Sequence, residues 1–434
     1  MSVAFIGVIG IVFLMLVLFF MRMPVGFAMA LVGFLGMLMV VSPQAALGMI
    51  GTDIWRTFSS YGLTVIPLFV LMGEFCFYSG VSKRLYYAAY KWVGPIRGGV
   101  AMATVAASAA FAAICGSNTA TAATMSTVAL PEMKRYNYDM TLSTGTVASG
   151  STLGVVIPPS VVLIIIGLAT GQSISKLFFG GIIPGLILAG LFMFTIYVLC
   201  RRNPDWGPAG PKTSFREKMA ALPGGIEMVI LFLLVMGGLY AGWFTPSEAG
   251  AAGAFFALLL SLLRRSLSWQ GFVAAIRDTL RISCMIMVIV TGAVIFGRFL
   301  TVTRLPYDMA TWTANLPIPH VVILSIMLII YIIGGAVMDA LAFLMITIPI
   351  FYPMVTSMGY DPIWFGVLIT VITTMGAVTP PVGVNTYIVA GMTKEVPLQR
   401  VFKGVTFFLP AYVICAAVMI AFPQLTLFLP SLLR

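Results

Sequence analysis

The sequence predicts an all-α polytopic membrane protein made of two inverted repeats, each holding a re-entrant helical hairpin and a discontinuous, broken helix. Three observations predict it. Of 434 residues, 60% are hydrophobic and only 9% charged, against roughly 25% charged in a soluble domain. Apolar runs of spanning length recur along the whole chain. The chain also matches itself at a fixed offset around two clusters of helix breakers. Such a composition excludes a soluble enzyme, a disordered scaffold and a secreted disulfide module.

The spans come first. A membrane helix needs about 20 apolar residues, and runs of that kind fall near 3–21, 24–41, 62–79, 178–200, 225–241, 244–263, 280–300 and 404–422. The first has no basic region before it and no small-residue cleavage site after it, so it reads as a spanning helix and not as a removable signal peptide. Regions 99–170 and 320–392 are as apolar but are cut mid-run by Gly, Pro, Ser and Asn. Residues 82–97 and 303–316 read as amphipathic segments lying along opposite membrane surfaces.

The net charge of +11 reads as topology rather than nucleic-acid binding, because Lys and Arg collect in cytoplasmic loops. With the N-terminus outside, 19 of the 24 basic residues fall inside, and only Arg56, Lys176, Arg298, Arg304 and Arg434 fall on or near the outside. Both termini are then periplasmic. The count requires 99–133 to be a hairpin entering and leaving from the cytoplasm and 320–357 one entering and leaving from the periplasm. The polar, Pro-rich, basic stretch RRNPDWGPAGPK at 201–212, followed by FREK, divides the chain. The expected organisation is a first repeat over 1–201, a basic cytoplasmic loop over 202–224 and a second repeat over 225–434, in one integral unit.

At an offset of 222, Pro131, Tyr138, Asp139, Thr152, Gly154, Val156, Pro158 and Pro159 recur as Pro353, Tyr360, Asp361, Thr374, Gly376, Val378, Pro380 and Pro381. Three of these pairs form a Gly-x-x-x-Pro-Pro frame that composition seldom produces. Five crossings separate the starts of the two hairpins, an odd number, so the repeats are inverted. Inverted repeats with broken helices are the plan of many secondary transporters, whose substrate and ions bind between the halves at mid-membrane.

Breakers at that depth free backbone groups that lipid cannot satisfy, so they persist only where protein or a water-filled cavity covers them. The first hairpin tip is Cys115-Gly-Ser-Asn-Thr-Ala-Thr121, where Gly ends one helix and Ser117 or Asn118 caps the next. Its partner break runs from Ser149 to Ser160 through Pro158 and Pro159. The second half repeats the design with a tip at 334–340 and a break at 373–385. C-terminal helix ends offer carbonyls that suit Na⁺, and N-terminal ends offer N–H groups that attract carboxylates. A single Gly, Ser or Thr here is better explained by helix packing; two clusters at repeat-related positions favour a site.

Asp339 stands at the second tip, opposite Ser117 by the same offset, and a carboxylate at mid-membrane points to ion binding or coupling. Arg298 is read two ways, as a bidentate receiver of a substrate carboxylate or as an Arg snorkelling to the outer interface. Glu74 is read as a partner for a basic residue of the 83–97 arm ahead of a buried coupling acid. Glu248, in TPSE, is read as half of a capping box. Five scattered cysteines and one histidine, His320, leave no disulfide framework, zinc site or His-based triad. Walker, HExxH and GxSxG motifs are absent, so no enzyme chemistry is visible.

GSNTATAATM at 116–125, ASGSTLGVVIPPS at 148–160, IPLFVLMGE at 66–74 and GAVTPPVGVN at 376–385 resemble the large membrane subunit of tripartite ATP-independent periplasmic (TRAP) transporters. The likeness extends over essentially the whole chain, including TPSEAGA at 245–251. It implies Na⁺-driven uptake of organic acids of the C4-dicarboxylate or sialic acid type across the bacterial inner membrane. It implies an elevator movement of hairpins and broken helices against a scaffold, with no cofactor beyond Na⁺ as coupling ion. The implied partners are a periplasmic substrate-binding protein and a small four-helix membrane subunit, expected as a separate chain because this one opens directly on its first span. Carried over, one Na⁺ site involves Ser117, Asn118, Ser149, Thr152 and Gly154. The other involves Gly335, Asp339, Thr373, Thr374 and Gly376. Substrate lies near Thr119, Pro159, Pro380 and Asn385. The alternatives are a stand-alone Na⁺/dicarboxylate symporter or ion–proton exchanger and, from another class, a membrane-embedded enzyme or assembly scaffold.

Overall fold

The computed structural model describes residues 3–21 and 23–433. The first half begins with α1 (Val3–Met21), α2 (Val25–Val40), α3 (Pro43–Phe58), α4 (Val65–Tyr78) and α5 (Val81–Val93). The first hairpin is α6 (Gly99–Cys115) and α7 (Asn118–Arg135). The broken helix is α8 (Met140–Ser151), α9 (Leu153–Val156) and α10 (Val161–Thr170), and α11 (Ile174–Arg202) closes the half. The second half runs α12 (Phe215–Tyr240), α13 (Pro246–Leu263), α14 (Trp269–Val302) and α15 (Leu305–Ala314). Its hairpin is α16 (His320–Val337) and α17 (Ala340–Ser357), its broken helix α18 (Pro362–Gly376) and α19 (Val384–Met392). The chain finishes with α20 (Leu398–Thr406), α21 (Leu409–Ala421) and α22 (Gln424–Ser431).

The offset of 222 found around the breaks extends across nearly all of these elements. It carries α2 onto α13, α4 onto the distal part of α14, α5 onto α15, both hairpins onto each other, α8 onto α18 and α10 onto α19. Packing is reciprocal in the same sense: α2 lies on α14 as α13 lies on α4, and α10 meets α17 as α19 meets α7. Each repeat therefore completes the other, which is why neither half is a separate domain. Five helices of membrane length and composition run from α8–α10 through α14, so the second repeat enters the bilayer with opposite sense.

Local sequence explains the ends. Ser117 caps α7 by accepting the Ala120 N–H, and Gly116 leaves α6 at φ 62°, the left-handed conformation that glycine adopts without a Cβ penalty. Asp139 and its repeat mate Asp361 cap α8 and α18, each accepting two backbone N–H groups. Thr245 and Glu248 form the reciprocal capping box at α13, as the TPSE motif implies. Gly26 and Gly292 let α2 and α14 touch backbone to backbone: a Cβ on Gly292 would sit 2.0 Å from the Gly26 carbonyl oxygen.

Burial sorts the helices. The stretch 140–170 is buried along nearly its whole length, whereas most of α1 is not. The broken helices form the centre and α1 lies at the periphery. The amphipathic arm α5 is held to α12 by two ion pairs, Arg84–Glu227 at 2.9 Å and Lys91–Glu217 at 3.0 Å, and Glu227 also pairs at 2.5 Å with Arg264 just past the end of α13.

Three expectations need correction. Glu74 has no ion-pair partner on the α5 arm, because Arg84 and Lys91 turn instead to the acids of α12. Helix α12 begins at Phe215, about three turns before the expected 225, since Ser214 provides its N-cap and Pro223 is tolerated inside. The second hairpin does not break at its glycines: α16 runs through Gly334 and Gly335 to Val337.

Candidate functional site

Each hairpin tip rests on the broken helix of its own repeat, and glycine makes the contact in both. A Cβ on Gly154 would lie 2.6 Å from the Ser117 carbonyl oxygen and 2.8 Å from Thr121 Oγ1. A Cβ on Gly376, the repeat mate of Gly154, would lie 2.5 Å from the Ile332 oxygen and 2.7 Å from the Gly335 carbonyl carbon. One on Gly335 would meet the Thr373 oxygen at 2.5 Å. Only residues without side chains allow this approach, which stacks tip backbone directly against break backbone.

Hydrogen bonds fix the same two junctions. Past the first break, Val161 N–H donates to the Gly116 oxygen at 3.4 Å; past the second, Val382 and Gly383 N–H groups donate to the Ala336 oxygen at 3.0 and 3.1 Å. At the first tip Ser117 Oγ and Thr119 Oγ1 lie 3.1 Å apart, and Asn118 Oδ1 accepts the Thr119 N–H at 2.9 Å. At the second tip Asp339 caps α17 by accepting the Leu341 N–H at 3.0 Å. Thr373 and Thr374 turn their hydroxyls back to the Ile369 and Val371 carbonyls at 2.5 and 2.7 Å.

The chemistry on offer is oxygen. Ser149 Oγ, Ser108 Oγ, Thr146 Oγ1 and Asn385 Oδ1 are buried with no hydrogen-bond partner, as is Asn118 Nδ2. Such orphans are costly in an apolar interior. Among the described residues no three His, Cys, Asp or Glu side chains gather. The hydroxyls, amides and helix-end carbonyls at the junctions form a hard donor set suited to an alkali cation rather than to a soft metal.

Sequence-predicted residues fall into three places. Ser117, Asn118, Ser149, Thr152 and Gly154 belong to the first junction; Gly335, Asp339, Thr373, Thr374 and Gly376 belong to the second. Of the residues assigned to substrate, Thr119 and Pro159 flank the first tip, the Pro159 oxygen lying 2.8 Å from where a Gly116 Cβ would be. Asn385 reaches across from the second break and donates to Ser151 Oγ at 2.9 Å. The two breaks differ in cover: Pro380, Pro381 and Val382 are exposed, whereas Pro158 and Pro159 are buried.

Arg298 lies apart. It pairs with the buried Asp53 at 2.5 Å and lines a cavity of 1520 Å³ between α3, α10, α14, α15 and α17. The pairing with Asp53 belongs to neither of its two sequence readings, carboxylate receiver or interfacial snorkel. Glu74 faces a smaller cavity of 380 Å³ beside the first tip, with Asp278 and Arg281.

Sequence reasoning missed several residues that the structure brings into long-range contact. Tyr412 of α21 lies 2.6 Å from Thr152 Oγ1 and so ties the first break to the far end of the chain. Arg400 donates to Asp139 Oδ2 at 2.9 Å and to Thr141 Oγ1 at 2.9 Å. These are contacts between residues some 260 positions apart, for which a single sequence holds no signal. Asp53 and Arg56 had one: Ala46, Met49, Asp53 and Thr57 recur at helical spacing behind a Ser42-Pro43 start.

Comparison with known proteins places these features in context. The family described as tripartite ATP-independent periplasmic transporter, DctM component, matches residues 12–425. The C4-dicarboxylate TRAP transporter large permease protein DctM of Pseudomonas aeruginosa is 33% identical over 379 residues, covering 87% of this chain and 88% of that protein. The sialic acid TRAP transporter large permease protein SiaM of Vibrio cholerae is 28% identical over 98% of both chains. Among solved structures, the YdaH transporter of Alcanivorax borkumensis shares the fold with a TM-score of 0.58 at 15% identity, over 88% of this chain and 89% of that one.

Proposed function

The chain belongs to the DctM component family of tripartite ATP-independent periplasmic transporters, and from that premise we propose that it carries organic acid anions into the cell, driven by Na⁺. It is a multi-pass membrane transporter subunit and not an enzyme. The observation that carries the Na⁺ reading is the pair of tip-to-break junctions at Gly154 and Gly376. Each gathers hydroxyls, amides and helix ends in the protein interior, an oxygen-rich donor set that suits a cation of low charge. Substrate lies between the junctions, against Thr119, Pro159, Pro380 and Asn385, with helix N-termini facing its carboxylate. Relatives named for C4-dicarboxylate and sialic acid support the anion class.

The two hairpins, the broken helices, α11 and α20–α21 form the moving body in this reading, and α1–α5 with α12–α15 form the scaffold. Transport is then an elevator movement of the first across the second. The organisation in this reading is a first half ending at α11, a basic cytoplasmic segment and a second half opening at α12 (Phe215), with the first hairpin on the cytoplasmic side and the second on the periplasmic side. Both termini are periplasmic. A small membrane subunit covers exposed scaffold helices, and a soluble periplasmic receptor delivers substrate.

Reconstitution tests the whole reading. The chain with its small subunit, in liposomes with an inward Na⁺ gradient, is expected to accumulate acid only when the loaded receptor is present. Full-rate uptake without receptor would identify a stand-alone symporter, and uptake indifferent to Na⁺ would remove the coupling ion.

A further inference from the structure

The 1520 Å³ cavity has a charge pattern that the junctions do not explain. Its ionisable lining is Asp53, Arg56, Arg298 and Arg304, with the tyrosines Tyr307 and Tyr352, and it holds no Lys, Glu or His. One acid against three guanidiniums leaves a surplus of two positive charges. Among the described residues, neither Arg56 nor Arg304 has a carboxylate within ion-pair distance; only Arg298 does, through Asp53 Oδ1. Asp53 is 1% exposed, and its other oxygen, Oδ2, is buried without a hydrogen-bond partner. Arg298 is 41% exposed toward the cavity, and a guanidinium has five N–H donors in a planar fork. A single contact to Asp53 leaves most of that fork facing open space. At 1520 Å³ the cavity exceeds the roughly 300–1,000 Å³ of an ordinary ligand pocket, which suits a site of passage more than a closed one.

We propose that this cavity is a second anion site, distinct from the mid-membrane junctions, in which Arg298 takes the carboxylate of an organic acid in exchange for Asp53. Asp53 is a built-in stand-in for the ligand: its one contact to Arg298 yields when a free carboxylate makes the bidentate pair. Arg56 and Arg304 concentrate anions at the mouth without binding them tightly, as a cleft of one charge sign does. The lining joins scaffold residues of α3, α14 and α15 to Tyr352 and Ser357 at the outer end of α17, so an occupant touches both bodies. The proposal rests on the organic-anion reading above for its ligand class, though not on Na⁺ coupling.

The test needs a reporter in the cavity that is not part of the site. Thr311→Cys lines it, and Cys284→Ser removes the exposed native thiol. In the purified full-length chain, an anionic methanethiosulfonate is expected to label this cysteine about tenfold faster, relative to a cationic one, than in the Arg56→Gln/Arg304→Gln background. Millimolar succinate, without Na⁺, is expected to slow labelling. Protection should strengthen in Asp53→Asn and vanish in Arg298→Gln and in the Asp53→Asn/Arg298→Gln double variant, which leaves no unpaired buried carboxylate. Chloride at equal ionic strength giving equal protection would overturn the proposal, as would protection that survives loss of Arg298. Protection by succinate in a protein whose transport ignores Na⁺ would support this site and sink the coupling proposal; Na⁺-driven uptake with no protection would do the reverse.

Discussion

Gly154→Ala places one methyl group where the first junction has no room. The new Cβ would stand 2.6 Å from the Ser117 oxygen, 2.8 Å from its carbonyl carbon and 2.8 Å from Thr121 Oγ1. Ordinary contact begins at 3.4 Å, so the tip backbone must retreat by about 0.8 Å, beyond the roughly 0.5 Å within which a binding constellation must be held. Overpacking of this kind costs about 1–3 kcal/mol. The loss falls on the junction, since the carbonyl is backbone and cannot turn aside. The expected result is a rise of about tenfold in the Na⁺ concentration for half-maximal uptake, equivalent to about 1.4 kcal/mol, in proteoliposomes at saturating substrate. Gly376→Ala should act alike at the second junction. Gly33→Ala is the control: its Cβ would meet the Phe296 backbone at 2.9 Å in the scaffold, lowering thermal stability without moving the Na⁺ titration. Titrations within twofold of the parent in both junction variants would refute the assignment.

Three further outcomes follow from particular contacts. Glu227→Gln strips the carboxylate that Arg84 and Arg264 share; because Glu227 is buried while both arginines are partly exposed, a loss of about 1–3 kcal/mol in stability is expected, read as a lower Tm with the Na⁺ response intact. For Asp139, burial raises the carboxyl pKa, but hydrogen bonds from Thr141 and Leu142 and the charge of Arg400 outweigh it and hold the group below its ordinary value. Its contribution is therefore present above about pH 4 and lost as pH falls through the lowered native value. The Tm gap between the parent and Asp139→Asn should shrink on acidification, and a gap constant from pH 7 to 3 would contradict this. Asn385→Ala should raise the substrate concentration for half-maximal uptake while leaving Na⁺ half-saturation unchanged; an unaltered substrate curve would take Asn385 out of the substrate region.

Much of the architecture was legible because breakers that come in clusters interrupt a membrane helix, whereas the single Pro residues inside α7, α11 and α12 are tolerated. The Gly-x-x-x-Pro-Pro frame located both broken helices, and Ser117 as a cap and Asp339 as a buried carboxylate marked the two hairpin tips, the capping of α17 by Asp339 being visible only in the structure. The spans near 3–21, 24–41, 62–79 and 244–263 were found within a few residues, whereas α12 and α14 begin about three turns before the apolar runs that located them, because their first turns are polar. Helix α3 was passed over because its signal is amphipathic: a buried Asp53 stands in the stripe that Ala46 and Met49 begin, and a charged residue there reads as a loop. The pairing of the α5 arm with α12 was out of reach for a different reason. Local charge patterns suggested Glu74, close in sequence, while Arg84 meets Glu227 some 140 residues away. Arg298 shows the same limit, since its partner Asp53 lies in the other repeat.

Direct Na⁺ binding tests the central claim most simply. Equilibrium binding of radioactive sodium to the purified chain is expected to saturate, to fall in Asn118→Ala and in Asp339→Ala taken singly, and to disappear when the two are combined. Binding in the double variant equal to that of the parent would show that the hairpin tips do not hold the ion.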